Sequence, residues 1–180
     1  MPGVAILALS GSLRQSSINS AALRAAARVA PRVGAVVLVD DSVRHLPLFD
    51  PDLEKAPPDS VRRFRLACLE AEAVLLAVPE YAFGIPGAFK NAIDWTVGSV
   101  ALNRKPVAVL NVAPPGRGGH ARAALAQVLQ ALDADVVVHA VPIAERDKDG
   151  DGELRAPAIL DALEVVVADL ARRAELARAA

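Results

Sequence analysis

Five short, nearly unbroken apolar runs recur along this chain, each closed by glycine, proline or a polar cluster, with a stretch of helical period between them. The runs are Val4–Ser10, Ala35–Val39, Ala73–Val78, Pro106–Val112 and Val136–Val141. Each is too short for a helix and too uniformly apolar for a strand with one wet face, so they read as strands buried on both sides. The intervening segments Ser17–Ala30, Val61–Ala71, Gly87–Trp95, Gly119–Leu132 and Ala158–Ala177 read as helices. Alternation of this kind admits little but a parallel sheet covered by helices on both faces, with right-handed crossovers. The expectation is an α/β, flavodoxin-like, doubly wound five-stranded sheet in the order 2-1-3-4-5, a three-layer α/β/α arrangement. Its ligand crevice would lie outside the carboxyl ends of strands one and three. Asp40–Ser60, with prolines 47, 51, 57 and 58, reads as a long loop. With 180 residues, no internal repeat and no linker, residues 1–180 are expected to form one domain.

Net charge and cysteine usage narrow the function. The formal charge is −1, so no basic field favours nucleic acid or anionic lipid. Cys68 is the sole cysteine, which excludes an internal disulfide framework and a cysteine-rich metal cage. No secretory leader pattern and no apolar run of membrane-spanning length is visible, so a cytoplasmic location is expected.

Three loops leave the strand ends that border the crevice. The first, GSLRQSSINS, runs from Gly11 to Ser20 into the first helix. A helix N-terminus presents free N–H groups and partial positive charge, a natural seat for a phosphate. Ser12, Ser17 and Asn19 add neutral donors and Arg14 a permanent, forked cation. The segment is neither G-x-G-x-x-G nor a G-x-x-x-x-G-K-[ST] loop. The competing reading is an ordinary serine cap. The second loop belongs to VPEYAFGIPGAFKNAIDW, residues 78–95, which holds the only tyrosine, Tyr81, with Glu80 and Phe83. Its prolines and glycines suit close backbone approach to a flat ring. Alternatively, Tyr81 and Phe83 fill the core or a subunit contact. Phe89 and Trp95 read as core, Lys90 as a solvated helix residue, Asp94 as a local hydrogen-bond partner and Glu80 as an acceptor from backbone N–H groups. The third loop, within APPGRGGHARAAL (113–125), brings Gly116, Gly118 and Gly119 before a helix and would form a third wall.

On these motifs the chain resembles the NADPH-dependent FMN reductases, a group that includes quinone, chromate and azo-dye reductases. GSLRQSSIN is similar to their G-S-L-R-x-x-S-x-N phosphate loop, PEYAFGIPGAFKNAIDW to their P-E-Y-N-x-S-x-P-G-x-L-K-N-A-I-D-W segment, and GRGGHARAAL to their glycine-rich third loop. The resemblance implies an enzyme that binds FMN and uses NADPH or NADH as co-substrate. A hydride would pass through the flavin to a quinone, a flavin or another small acceptor such as an azo compound or chromate, by ping-pong turnover. It implies that Ser12, Arg14, Ser17, Ile18 and Asn19 hold the phosphate end. Pro79, Glu80, Tyr81, Ala82 and Phe83 would line the ring, largely through backbone, and Gly116, Arg117 and Gly118 would close the other side. No side chain would be catalytic, because the cofactor carries the chemistry. Arg14 or Arg117 would also meet the phosphates of the pyridine nucleotide. A homodimer or homotetramer, with the flavin near the subunit contact, is implied too. The chain departs from the family pattern at Ala82, where asparagine is usual, at Gly84, often serine, and at Phe89, usually leucine.

Two rivals share the fold: a non-catalytic flavodoxin-type electron carrier and a flavin-free interaction domain. The near-neutral charge and Arg14 disfavour the carrier. A colourless chain that takes up no flavin would favour the interaction domain. DKDGDGELRAPA (147–158) imitates a calcium loop through Asp147, Asp149, Asp151 and Gly152. Its closing position is Ala158 and Arg155 stands among the acids, so it reads as a polar turn and not a metal site.

Overall fold

The computed structural model describes residues 3–179. Strands β1 (Val4–Ser10), β2 (Ala35–Asp40), β3 (Ala73–Ala77), β4 (Pro106–Asn111) and β5 (Asp135–Ala140) form one parallel sheet in the order β2-β1-β3-β4-β5. Helices α1 (Ile18–Val29), α2 (Asp59–Glu70), α3 (Gly87–Asp94), α4 (Gly119–Ala131) and α5 (Pro157–Ala179) cover it.

The pleat sorts β1 into two cores, because alternate side chains face opposite ways. Ile6 and Ala8 join α1 and α5 residues such as Leu23, Leu163 and Leu170. Leu7 and Leu9 join Phe64 and Cys68 of α2, Phe89 and Ile93 of α3, and Leu125 and Leu129 of α4. The sheet edge departs from the expectation of strands buried on both sides. Val36 and Leu38 of β2 are exposed on one face, since an edge strand lies beyond the cover of α2.

Helix ends show further differences. Ser17 caps α1 from outside rather than starting it, its Oγ accepting the N–H of Asn19 at 3.2 Å. Pro31 does not stop the chain: it enters a 3-10 turn over Ala30–Val33, where its missing N–H is tolerated. Gly34 then ends the turn at φ 71°. The long loop contains two 3-10 turns, Ser42–His45 and Pro51–Leu53, and α2 begins at Asp59, two residues before the expected Val61.

That long loop is fastened from α3. Asn91 Nδ2 and Trp95 Nε1 both donate to the Pro47 carbonyl at 2.9 Å, and Asn91 Oδ1 accepts the Phe49 N–H at 2.7 Å. Phe49 meets the Trp95 ring edge-on at 5.0 Å between centroids. Arg65 lies 5.6 Å over the same ring and bonds Glu54. Trp95 and Phe89 are fully buried, and Lys90 pairs with Asp94 at 2.5 Å on the helix surface. On the same face of the sheet, Lys105 holds the carbonyls of Cys68, Leu69 and Ala71, closing the end of α2.

Candidate functional site

Three loops meet at the carboxyl ends of β1, β3 and β4. Gly11 makes their approach possible. Its N–H donates to the Ala77 carbonyl at 2.8 Å, and a Cβ there would come within 2.8 Å of Val78 Cγ1 and 3.2 Å of Pro79 Cδ. The turn that follows is shaped by serines. Ser12 Oγ accepts the N–H of Arg14 at 3.3 Å, and Ser17 N–H closes on the Arg14 carbonyl at 3.1 Å. Ser12 and Ser17 are both buried. Among the described residues, the N–H groups of Gln15, Ser16, Ile18 and Ser20 find no protein acceptor. They point out of the turn and first helical coil, where a helix leaves its donors free.

Beside this turn lies a cleft of about 260 Å³, lined among others by Ile18, Asn19, Pro79, Glu80, Arg117 and Gly118. Asn19 is buried, and its Oδ1 is an acceptor with no donor among the described residues. An orphaned amide oxygen costs about 1–3 kcal/mol unless a ligand or water supplies a donor.

The second loop carries an unusual hairpin. Tyr81 and Gly84 exchange both backbone hydrogen bonds, at 3.1 and 2.9 Å. Ala82 and Phe83 between them have φ of 48° and 58°, the left-handed pattern of a type I′ turn. Asparagine and glycine suit that conformation, whereas alanine and phenylalanine are strained in it. Tyr81 and Phe83 are exposed, so neither fills the core. Tyr81 Oη lies 3.5 Å from Ser12 Oγ, which links the second loop to the first turn.

Glu80 joins the second and third loops. Its Oε2 accepts the N–H groups of His120 and Ala121, at 2.8 and 3.0 Å, in the first turn of α4. The carboxylate therefore caps a helix whose preceding residue, Gly118 at φ 77°, has no side chain to do so. Gly116 sits at φ 78° in the same loop, and Arg117 is exposed beside the cleft.

Ile18, Asn19, Pro79, Glu80, Arg117 and Gly118 thus converge on the cleft, whereas Ser17, which is buried, does not line it. Ser12 and Arg14 line a separate hollow of about 460 Å³ on the β2 side. Arg14 Nε donates to Ser16 Oγ at 2.8 Å, so the guanidinium folds along its own turn. Tyr81, Ala82, Phe83 and Gly116 line neither hollow. The sequence reading missed Asn111, whose Oδ1 accepts the Ala113 N–H at 3.2 Å on the cleft wall. A polar residue closing an apolar strand at the crevice edge was the available signal. It also missed His120, whose ring meets Phe83 edge-on at 5.0 Å.

The calcium-like segment is held by its own arginine. Arg155 pairs with Asp149 and, at 2.7 Å, with Asp151, whose carboxyl is drawn down to about 2, chiefly by its hydrogen bonds to Asp149 and Arg155.

A profile for the NADPH-dependent FMN reductases matches residues 4–148. A quinone reductase of Pseudomonas putida is 41% identical over 128 residues, 68% of each chain. An NAD(P)H-dependent FMN reductase of Pseudomonas aeruginosa is 40% identical over 135 residues, 72% of this chain and 71% of that one. A solved flavoenzyme, an NAD(P)H:(acceptor) oxidoreductase of Paracoccus denitrificans, superposes with a TM-score of 0.81 at 27% identity, over 96% of this chain and 98% of that one.

Proposed function

The chain belongs to the NADPH-dependent FMN reductase family, and from that premise we propose that it is an NAD(P)H-dependent oxidoreductase that reduces quinones with FMN held in the cleft above β1, β3 and β4. The observation that carries this reading is the buried Oδ1 of Asn19, an acceptor with no donor among the described residues, on a residue that lines the cleft. Around it the donor set suits a phosphorylated, hydroxylated ligand. The free N–H groups of Ser16, Ile18 and Ser20 and the hydroxyls of Ser12 and Ser17 would take the phosphate, and Arg14 would leave Ser16 and its own hollow to meet it. Asn19 would take the ribityl chain.

Pro79 to Phe83 would offer backbone to one side of the ring, and Gly116, Arg117 and Gly118 would close the other. FMN, when bound, supplies a ring that accepts a hydride from reduced pyridine nucleotide and returns two electrons to an acceptor. The protein's own part is to fix that ring between two loops tied together by Glu80, and to keep water from its inner edge. The Ala82 backbone N–H survives the loss of the family's asparagine, so ring binding is kept.

Quinones are the acceptor class most directly supported, through the similarity to quinone reductases. A homodimer is supported by large apolar side chains left exposed on loops around α3: Leu48, Phe83, Val97 and Val100. No helix among the described residues is long and apolar enough to cross a membrane.

The test is anaerobic. The purified chain with FMN should be yellow, bleach on addition of NADPH or NADH, and recover colour with a quinone. Bound flavin that neither pyridine nucleotide bleaches would reject the reductase reading in favour of the electron carrier. A chain that takes up no flavin would favour the interaction domain.

A further inference from the structure

Lys148 lies in the polar loop after β5, outside all three motif loops, yet its ammonium ends on the first turn. Lys148 Nζ donates to the Ser16 carbonyl at 2.8 Å and pairs with Glu145 Oε2 at 2.5 Å. The Lys148 side chain is only 10% exposed, whereas that of Glu145 is 59% exposed. The loop is strapped along α1. Glu153 receives Arg24 at 2.6 Å and Arg28 at 2.5 Å, and a backbone bridge joins Lys148 to Leu154.

Two consequences follow for the turn. A peptide unit is planar, so holding the Ser16 carbonyl on the Lys148 side orients the N–H of Ser17, which closes the turn on Arg14. The free N–H groups of Ser16 and Ile18 flank that locked peptide. Were the carbonyl to swing the other way, it would set an acceptor oxygen against an anion. The second consequence is electrostatic. Arg14 is exposed and screened by solvent, whereas the Lys148 side chain is largely covered, so its charge is less screened by water, though it is paired with Glu145. Glu145 is the better-solvated member of the pair, and it is the ammonium that touches Ser16, so the end of the pair nearest the turn is positive.

We propose that Lys148 is a positioning residue for the flavin phosphate, which locks the first turn in its anion-binding shape and makes the chain select phosphorylated flavin over riboflavin. This rests on the reading that the turn holds the FMN phosphate.

The experiment is to titrate FMN and riboflavin, each followed by quenching of flavin fluorescence, against the parent chain and the variants Lys148→Met, Lys148→Arg and Glu145→Gln. Lys148→Met keeps the aliphatic stem and removes the charge. It should weaken FMN roughly tenfold or more while leaving riboflavin within about twofold. Lys148→Arg should restore most of the FMN affinity. Glu145→Gln should hold or tighten FMN binding, and it tests the idea even if Lys148→Met does not fold. Unchanged FMN affinity in Lys148→Met overturns the proposal. So does an equal loss for FMN and riboflavin, which marks a structural strap alone, and so does weakened FMN binding in Glu145→Gln. Bleaching of the parent chain by NADPH judges the reductase reading separately.

Discussion

Replacing Glu80 with alanine should loosen two walls of the cleft at once. The carboxylate accepts two N–H groups in the first turn of α4, at 2.8 and 3.0 Å, from a loop attached to β3. Buried charge-assisted hydrogen bonds are worth about 1.5–3 kcal/mol each, but this carboxylate is partly wet, and caps removed from helices cost about 0.5–2 kcal/mol. A loss of about 1.5–2 kcal/mol is therefore expected for Glu80→Ala. In a chain of this length that lowers Tm by roughly 3–8 °C. Glu80→Gln keeps an acceptor and loses only the charge facing the helix dipole, so it should cost under about 1 kcal/mol. Thermal unfolding followed by circular dichroism, on apoprotein, measures both. FMN titration should show the same order, parent tighter than Gln tighter than Ala, because the loop after β3 and the loop before α4 share this tie. A Glu80→Ala chain that melts within about 1 °C of the parent and binds FMN equally well would refute the reasoning.

Ala82→Asn should stabilise the apoprotein by about 0.5–1 kcal/mol, since asparagine tolerates the left-handed φ that alanine adopts at 48°; a Tm rise of roughly 1–4 °C checks it. Burial pushes the Cys68 thiol up from 9.0 to about 12, with Lys105 opposing. The native chain should therefore resist a thiol reagent at about pH 8 and react only as it unfolds. Stability should also decline above pH 9.0, where the unfolded thiol ionises and the folded one does not. Arg172 above all, with Arg173 of the same helix and His139 of β5, holds the Asp169 carboxyl on α5 below its ordinary 3.8. A depressed carboxyl contributes stability fully above its unfolded pKa and loses it as pH falls through the folded value. Asp169→Asn should cost about 1 kcal/mol at neutral pH, and denaturant titrations should show the gap closing below about pH 4.

The strand order was legible because each crossover and each apolar run leaves a mark in local sequence. Val4–Ser10 begins and ends where the periodicity puts it. Edge exposure was not legible: Val36 and Leu38 look like buried strand residues, and only the reach of α2 decides that they are not. The long loop hid its order for a similar reason. Its turns are fastened by Asn91 and Trp95, about forty residues away, through bonds to Pro47 that no local pattern records. In the site, the loop motifs were recognisable on their own, and Ile18, Asn19, Pro79, Glu80, Arg117 and Gly118 from them line the cleft, whereas Ser12 and Arg14 line the neighbouring hollow. Glu80 was read as a backbone acceptor, and the structure names its donors as His120 and Ala121. The hairpin strain at Ala82 and Phe83 could not be read, since positive φ at such residues is imposed by the closure of Tyr81 on Gly84. Lys148 was out of reach too, because its partner Ser16 lies at the other end of the chain.

The central claim is that the turn from Gly11 to Ser20 grips a phosphate. Equilibrium titration of the parent apoprotein with FMN and with riboflavin, which differ only by that phosphate, tests it most directly. The account predicts FMN binding tighter by about a hundredfold, the worth of a few charge-assisted hydrogen bonds. Equal affinities for the two flavins would contradict it.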